Sequence, residues 1–275
     1  MKKNKIERDR KTGFLFFAGI TVVVAITIAV AVGYGKLRDL WLEQCVIEDF
    51  ESQVSIASGR MVKADVIAEE FGLRKGANLA LINFGEKREK ILAKIPNIKS
   101  ISVSRKLPDK VTVTFEERTP TARVLTKSGK ARFGRVVDSE GVVFIFQSGT
   151  DSLPVIKEPF EPGTQPGCRL KGKSLAALML IEACRDPDFQ ELAILEVDVS
   201  KPDFLVATLG NYSRLKIAWK SMDENSRNSR DSLHTQLKYL VQAIRTRVAP
   251  DSGIIWNATY VDEPERITAD TKEKL

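Results

Sequence analysis

One histidine, His234, and three cysteines, Cys45, Cys168 and Cys184, make up the chain's whole supply of imidazole and thiol. A zinc set of four such ligands at finger-like spacing cannot be assembled from residues so few and scattered. A Ser-His-Asp arrangement would have to recruit His234, which has no nucleophile-elbow sequence near it and reads as a surface residue near a helix start. The odd cysteine count allows at most one internal disulfide, for which Cys168 with Cys184 is conceivable, and leaves one thiol over. Equally, a buried free cysteine packs as a small hydrophobe. No glycine-rich dinucleotide turn follows any strand-like run. Aromatic residues are 7% of the chain and are not interleaved with basic ones, so no nucleic-acid surface is visible. No catalytic, cofactor-binding or metal residue is assigned, no cofactor or small-molecule substrate is expected, and the chain does not read as an enzyme.

One motif runs against that trend. Gly167 to Ser174 reads Gly-Cys-Arg-Leu-Lys-Gly-Lys-Ser, which satisfies the phosphate-loop pattern and opens a helix. A phosphate cradle needs a buried strand ending at its first glycine, and the stretch before Gly167 carries Pro159, Pro162 and Pro166 instead. Lys171 and Lys173 therefore read as solvated loop charges.

Long apolar runs are also scarce, with one exception. Phe14 to Tyr34 contains no charged side chain. At about 1.5 Å rise per residue it makes a rod of roughly 31 Å, the thickness of a ~30 Å hydrocarbon layer. It reads as a membrane-spanning helix, and its valines, isoleucines and threonines are compatible with one because lipid offers the backbone no competing partner. Residues 1–12 hold six basic and two acidic side chains, which accounts for +4 of the net charge of +7. Basic flanks stay on the cytoplasmic side, so the body of the chain from Lys36 is expected outside the cytoplasm. The tail's charge suits anionic lipid headgroups better than nucleic acid. Ala29-Val30-Ala31 offers a small-x-small cleavage site, but the apolar run is longer than a signal core and continues past it.

The rest of the chain is mixed α+β. After a juxtamembrane segment 36–45, Val46 to Ile56 reads as extended. Helical spacing covers Lys63 to Phe71 with Gly72 as a stop, and a second helix runs from about Glu86 to Lys94, closed by Pro96. Ile101 and Val103, then Val111, Val113 and Phe115, alternate with polar residues across the turn Leu107-Pro108-Asp109, which is a hairpin with one apolar face. The order is β-α-α-β-β over 46–118. Beyond it, short strands are expected at Ala122–Leu125, Arg132–Val137 and Val142–Phe146, then a proline-rich loop Pro154–Gly167 and an apolar helix Ser174–Cys184. Strands Ala193–Val199, Phe204–Leu209 and Leu215–Trp219 follow, then a long amphipathic helix from Leu233 to Val248. The last strand is Ile254–Val261, and residues 263–275 read as a disordered charged tail.

Gly76-x-Asn78-Leu79, Pro96-x-Ile98, Val103-x-Arg105-x-x-Pro108-x-x-Val111-x-Val113 and Glu117-Arg118-x-Pro120-x-Ala122 stand in this order on the β-α-α-β-β pattern. The combination closely resembles the POTRA domain of the FtsQ/DivIB family of bacterial cell-division proteins. Val137-Asp138-x-x-Gly141-x-Val143-Phe144 resembles the entry to that family's second, β-rich domain, here 119–262. The resemblance implies a non-enzymatic inner-membrane protein at the division septum, with a cytoplasmic tail 1–12, a span 13–35 and periplasmic domains that recruit and link other division proteins. It implies FtsB/FtsL-like coiled-coil partners docking by strand addition on the closing strand, which makes Trp256, Thr259, Tyr260 and Val261 the candidate partner-binding residues. The family shows Asp-x-Arg-Tyr where this chain has Asn257-Ala258-Thr259-Tyr260, without the arginine. Of the motif positions, Pro108 is expected to fix a turn, and Arg105 and Glu117 to pair across the hairpin. The alternative is a POTRA-bearing component of protein transport or outer-membrane assembly, but no repeated alternation of barrel strands is seen.

Overall fold

The computed structural model describes residues 24–126, 134–146, 149–158, 164–247 and 253–270. Helix α1 (24–44) opens this range and carries the C-terminal part of the apolar stretch; the remainder of that stretch, and the basic tail, lie outside the described residues. Val24, Ile26, Ile28, Val30 and Val32 on α1 are all exposed. Among the described residues no helix is long and apolar enough to cross a membrane.

The chain divides into two compact units. The first runs to Ser58 and takes in Lys63–Arg88 and Ser102–Thr114; the second holds Gly59–Val62, Glu89–Ile101 and everything from Phe115.

In the first unit the extended stretch expected from Val46 is broken by a short helix, α2 (Phe50–Gln53), because Asp49 caps it by accepting the Glu51 N–H. Only β1 (Val54–Ile56) is strand. Helix α3 (Ala64–Phe71) buries Ile67, Ala68 and Phe71, one face at helical spacing. It ends at Gly72, whose left-handed conformation (φ 70°) returns its N–H to the carbonyls of Ala68 and Glu69. Helix α4 (Phe84–Lys94) and strands β2 (Ile98–Lys106) and β3 (Lys110–Glu117) complete the β-α-α-β-β order. The sheet order is β1-β3-β2, with β1 parallel to β3 in the register Val54 with Val111 and Ile56 with Val113.

The second unit is built on one nine-stranded sheet. Its strands are β4 (Ala122–Thr126), β5 (Arg135–Val137), β6 (Val143–Ile145), β7 (Val155–Glu158), β8 (Ile194–Asp198), β9 (Leu205–Leu209), β10 (Arg214–Ile217), β11 (Ile255–Ala258) and β12 (Thr268–Asp270). Their order is β12-β11-β10-β9-β8-β7-β4-β5-β6. Parallel neighbours need a crossover: α5 (Gly172–Ala183) joins β7 to β8, α6 (Arg227–Thr246) joins β10 to β11, and the connection between the parallel pair β4 and β7 contains β5 and β6. Both helices enter one core with Leu205, Ala207 and Leu209 of β9, Leu215 and Ile217 of β10, and Trp256 and Ala258 of β11. Helix α6 starts where the Ser226 hydroxyl accepts the Ser229 N–H and buries Leu233, Gln236, Leu237, Leu240 and Val241 along one stripe. Helix α5 buries Ala176, Ala177, Leu178, Leu180 and Ile181, more than one face, which its uniformly apolar sequence requires.

The structure departs from the sequence expectations at two places. Val155–Glu158, assigned to a loop, is an interior strand between β4 and β8, and Ile156 is fully buried. Residues 263–270 are not a disordered tail, because Ile267 and Ala269 pack on the main core and draw Thr268–Asp270 onto β11 as a further strand. The three cysteines are free. Cys184 is buried, and burial pushes its thiol up to about 12, whereas Cys168 is exposed.

Candidate functional site

Two groups of residues carry the functional argument: the end of the nine-stranded sheet, and the junction around Glu117 and Arg118. Both lie within the second unit.

At the sheet's end β11 pairs in parallel with β10, Leu215 opposite Trp256, and antiparallel with β12, Trp256 opposite Ala269. Strand β11 is therefore an interior strand, and among the described residues β12 is the outermost one. Thr268 and Asp270 are exposed, and Ala269 between them is half-buried. An outermost strand leaves the backbone N–H and C=O groups of its far side without a ladder partner, which is the chemistry a further strand needs.

Beneath that edge β11 is firmly held. Trp256 is 5% exposed, and the Arg247 guanidinium lies 5.6 Å from its ring centre. Gln236, buried on α6, donates Nε2–H to the Ala258 carbonyl at 3.1 Å, and the same carbonyl accepts the Ala218 N–H at 3.2 Å. Asn257 Oδ1 accepts from both the N–H and the hydroxyl of Thr259, at 3.2 and 2.7 Å. Thr259, Tyr260 and Val261 are half-buried at the strand's end. Trp256 is thus buried beneath the edge, while Tyr260 is half-buried beyond the strand's end.

Arg266 sets its guanidinium 4.2 Å from the Tyr260 ring centre and pairs with Glu263 at 3.2 Å. Sequence reasoning missed both Arg266 and β12. The available signal was the alternation of Ile267 and Ala269 with Thr268 and Asp270, hidden in a charged tail.

The second group concerns the motif positions. Arg105 and Glu117 do not pair across the hairpin. Arg105 lies over the Phe84 ring at 5.3 Å, and the Glu117 carboxylate accepts the N–H groups of Arg60, Met61 and Val62 at 2.9, 2.8 and 2.7 Å. Three backbone donors in fixed geometry satisfy a carboxylate better than one flexible surface arginine. Gly59 makes the approach possible, since a Cβ there would stand 2.2 Å from Glu117 Oε1 and 2.8 Å from Phe115. Arg118 Nη1 pairs with Asp138 at 2.5 Å and with Glu140 at 3.3 Å, while its Nε donates to the Pro96 carbonyl at 3.1 Å. Asp138 in turn accepts the N–H groups of Glu140 and Val142. Burial raises the Glu140 carboxyl, but the hydrogen bonds and charges of Arg118 and Lys99 outweigh that and hold it below the ordinary carboxylate range. Asn97 donates to the Ile145 carbonyl at 2.7 Å. In the first unit Asn78 binds the Leu42 carbonyl at 2.7 Å and the Ala80 N–H at 2.9 Å, and Pro108 follows a cis bond in the turn between β2 and β3. The motif positions are mainly structural ties.

The remaining candidates are occupied by structural work. Lys173 of the phosphate-loop-like motif donates to the carbonyls of Lys201 and Pro202, so its ammonium is committed to backbone. His234 packs edge-on against Phe189, ring centres 5.0 Å apart. Among the described residues no three His, Cys, Asp or Glu side chains gather to hold a metal ion.

A three-stranded sheet in the order β1-β3-β2 with two helices between its first and second strands defines a POTRA domain. Residues 52–118 match the family model for the POTRA domain, FtsQ-type. The chain is also similar to Cell division protein DivIB of Clostridium acetobutylicum, 27% identical over 104 residues, which covers 38% of this chain and 40% of that protein. The match therefore spans well under half the length of its curated relative. Together these matches give the chain an FtsQ-type POTRA domain and a similarity to a DivIB cell-division protein.

Proposed function

We propose that this protein is a non-enzymatic, bitopic inner-membrane component of the division machinery. A cytoplasmic tail (1–12) and a span (13–35) lead through segment 36–45 to a periplasmic POTRA domain (46–118) and β-domain (from 119), at the division septum. Those domains recruit and link other division proteins. The FtsQ-type POTRA match carries the reading, and the similarity to a DivIB protein supports it. The exposed valines and isoleucines of α1 support the membrane anchor, because such a helix is stable only where lipid or protein covers it.

Partners of the FtsB/FtsL coiled-coil kind dock by adding a strand at the open edge of β12, with Thr259, Tyr260 and Val261 at the end of the neighbouring strand and Trp256 as its support. Anchoring in one membrane raises the partners' effective concentration, so modest contacts suffice. Deleting residues 267–275 is expected to leave membrane insertion and POTRA folding intact while abolishing co-purification of the coiled-coil partner; undiminished recovery would refute docking at this edge. Depletion is expected to give undivided filaments or enlarged cells, and normal division in a non-redundant background would refute the cellular role. A periplasm-dependent reporter fused after Leu275 is expected to be active, and activity confined to the cytoplasm would refute the topology.

A further inference from the structure

The first unit contains a cleft of about 1030 Å³ between β1 and α3, floored by Val54, Ile56, Ala68, Phe71 and Leu73. It adjoins a second open strand edge. Strand β1 ends the order β1-β3-β2, so among the described residues no strand pairs with its other side. The Ala57 N–H is donated to the Val113 carbonyl at 3.0 Å, and alternate residues of a strand direct their backbone groups to opposite sides. Ile56 therefore presents its N–H and C=O away from β3, toward the cleft side of the edge. The side chains of Val54 and Ile56 fall on the face that α3 covers, while Ser55 is exposed on the other. A segment laid along β1 would find backbone partners on one flank and an apolar trough for alternate side chains on the other.

The trough's charge selects among such segments. Glu51, Asp65 and Glu69 line it and are exposed, and among the described residues none of the three carboxylates meets a cation. Asp65 and Glu69 are one turn apart on α3 and so share a face. Arg74 and Lys87 line the trough beyond Gly72, where α3 has ended, and Lys87 is already committed to the Glu70 carbonyl. Three carboxylates and two cations thus line the trough, and one of the cations is held to backbone.

We propose that the cleft between β1 and α3 is a second docking site, distinct from the β12 edge, which takes an extended segment of a partner protein that is apolar at alternate positions and bears a basic residue opposite Glu51, Asp65 and Glu69.

The test uses the full chain in lipid nanodiscs and a short fluorescein-labelled peptide alternating valine with lysine. Its counterparts carry glutamate for lysine, or N-methyl groups on alternate amides. Anisotropy is expected to show saturable binding of the lysine peptide, with the glutamate peptide weaker by roughly five- to tenfold, the worth of one or two partly exposed ion pairs. The double substitution Asp65→Lys and Glu69→Lys, at exposed positions, reverses that order, and N-methylation removes binding to the unaltered protein. Absence of saturable binding by the lysine peptide, equal affinity for lysine and glutamate peptides, or indifference to N-methylation would each overturn the proposal. Repeating the N-methyl comparison on protein lacking residues 267–275, which removes the β12 edge, decides the matter even where the double variant does not fold: binding and its N-methyl sensitivity are expected to persist there, and their loss would overturn the proposal.

Discussion

Arg118 and Asp138 meet at 2.5 Å with side chains only 13% and 5% exposed, which joins the end of β3 to the turn that follows β5. The pair is well compensated, because the Arg118 Nε is satisfied by the Pro96 carbonyl and Asp138 accepts two backbone N–H groups. Removing one member leaves the other buried without its counter-charge.

Arg118→Ala is accordingly expected to destabilise the second unit by about 2–3 kcal/mol, somewhat under the usual cost of orphaning a buried charge because Asp138 keeps its backbone donors. Urea unfolding followed by tryptophan fluorescence measures it, and an unchanged midpoint would contradict it.

Glu140 gives the junction a pH dependence of known sign. Its carboxyl is held below the ordinary range in the folded protein, so its contribution is complete above the unfolded value of about 4.3 and is lost as pH falls through the lower folded one. The stability difference between the unaltered protein and Glu140→Gln should be constant near neutrality and shrink as pH drops below about 4. A difference that grows on acidification would reverse this assignment.

Gly59→Ala sets a methyl group into the Glu117 carboxylate and the Phe115 ring, which is expected to cost roughly 1–3 kcal/mol. Because the damage runs through Glu117, it should not add to that of Glu117→Ala. A double-mutant cycle with full additivity would show the two positions to be independent.

Gln236→Leu deletes the tie between α6 and β11, at an expected cost of about 1 kcal/mol, since the Ala258 carbonyl keeps its bond from Ala218. Hydrogen exchange should quicken in β11 and β12 and stay unchanged in β7 and β8.

Thiol chemistry offers a simple check on the core. Iodoacetamide at pH 8 should modify Cys168 and spare Cys184, whose thiol stands at about 12, and all three cysteines should react in urea.

Much of this protein could be read from spacing alone. The period of Ile67 and Phe71, the stop at Gly72, the alternation through Val111 and Val113, and the stripe from Leu233 to Val241 each encode a local geometry whose buried face follows from periodicity. Non-local pairing was not legible. Four residues, Val155–Glu158, are too few to announce a strand, and their burial comes from β4 and β8 lying on either side. Nor does anything near Glu117 in the chain indicate that its partners are the N–H groups of residues 60–62.

By itself, then, the sequence determined the longer helices, the hairpin, the apolar N-terminal stretch and the motif order that marks the POTRA domain, because each depends on residues within a few positions of one another. Only the tertiary structure decided which strand is outermost among the described residues, that Arg266 stands over Tyr260, and that Glu117 binds backbone N–H groups and Arg105 lies over the Phe84 ring instead of the two pairing with each other. Those outcomes depend on which distant segments are brought together, and a strand's edge is defined by the neighbour it lacks.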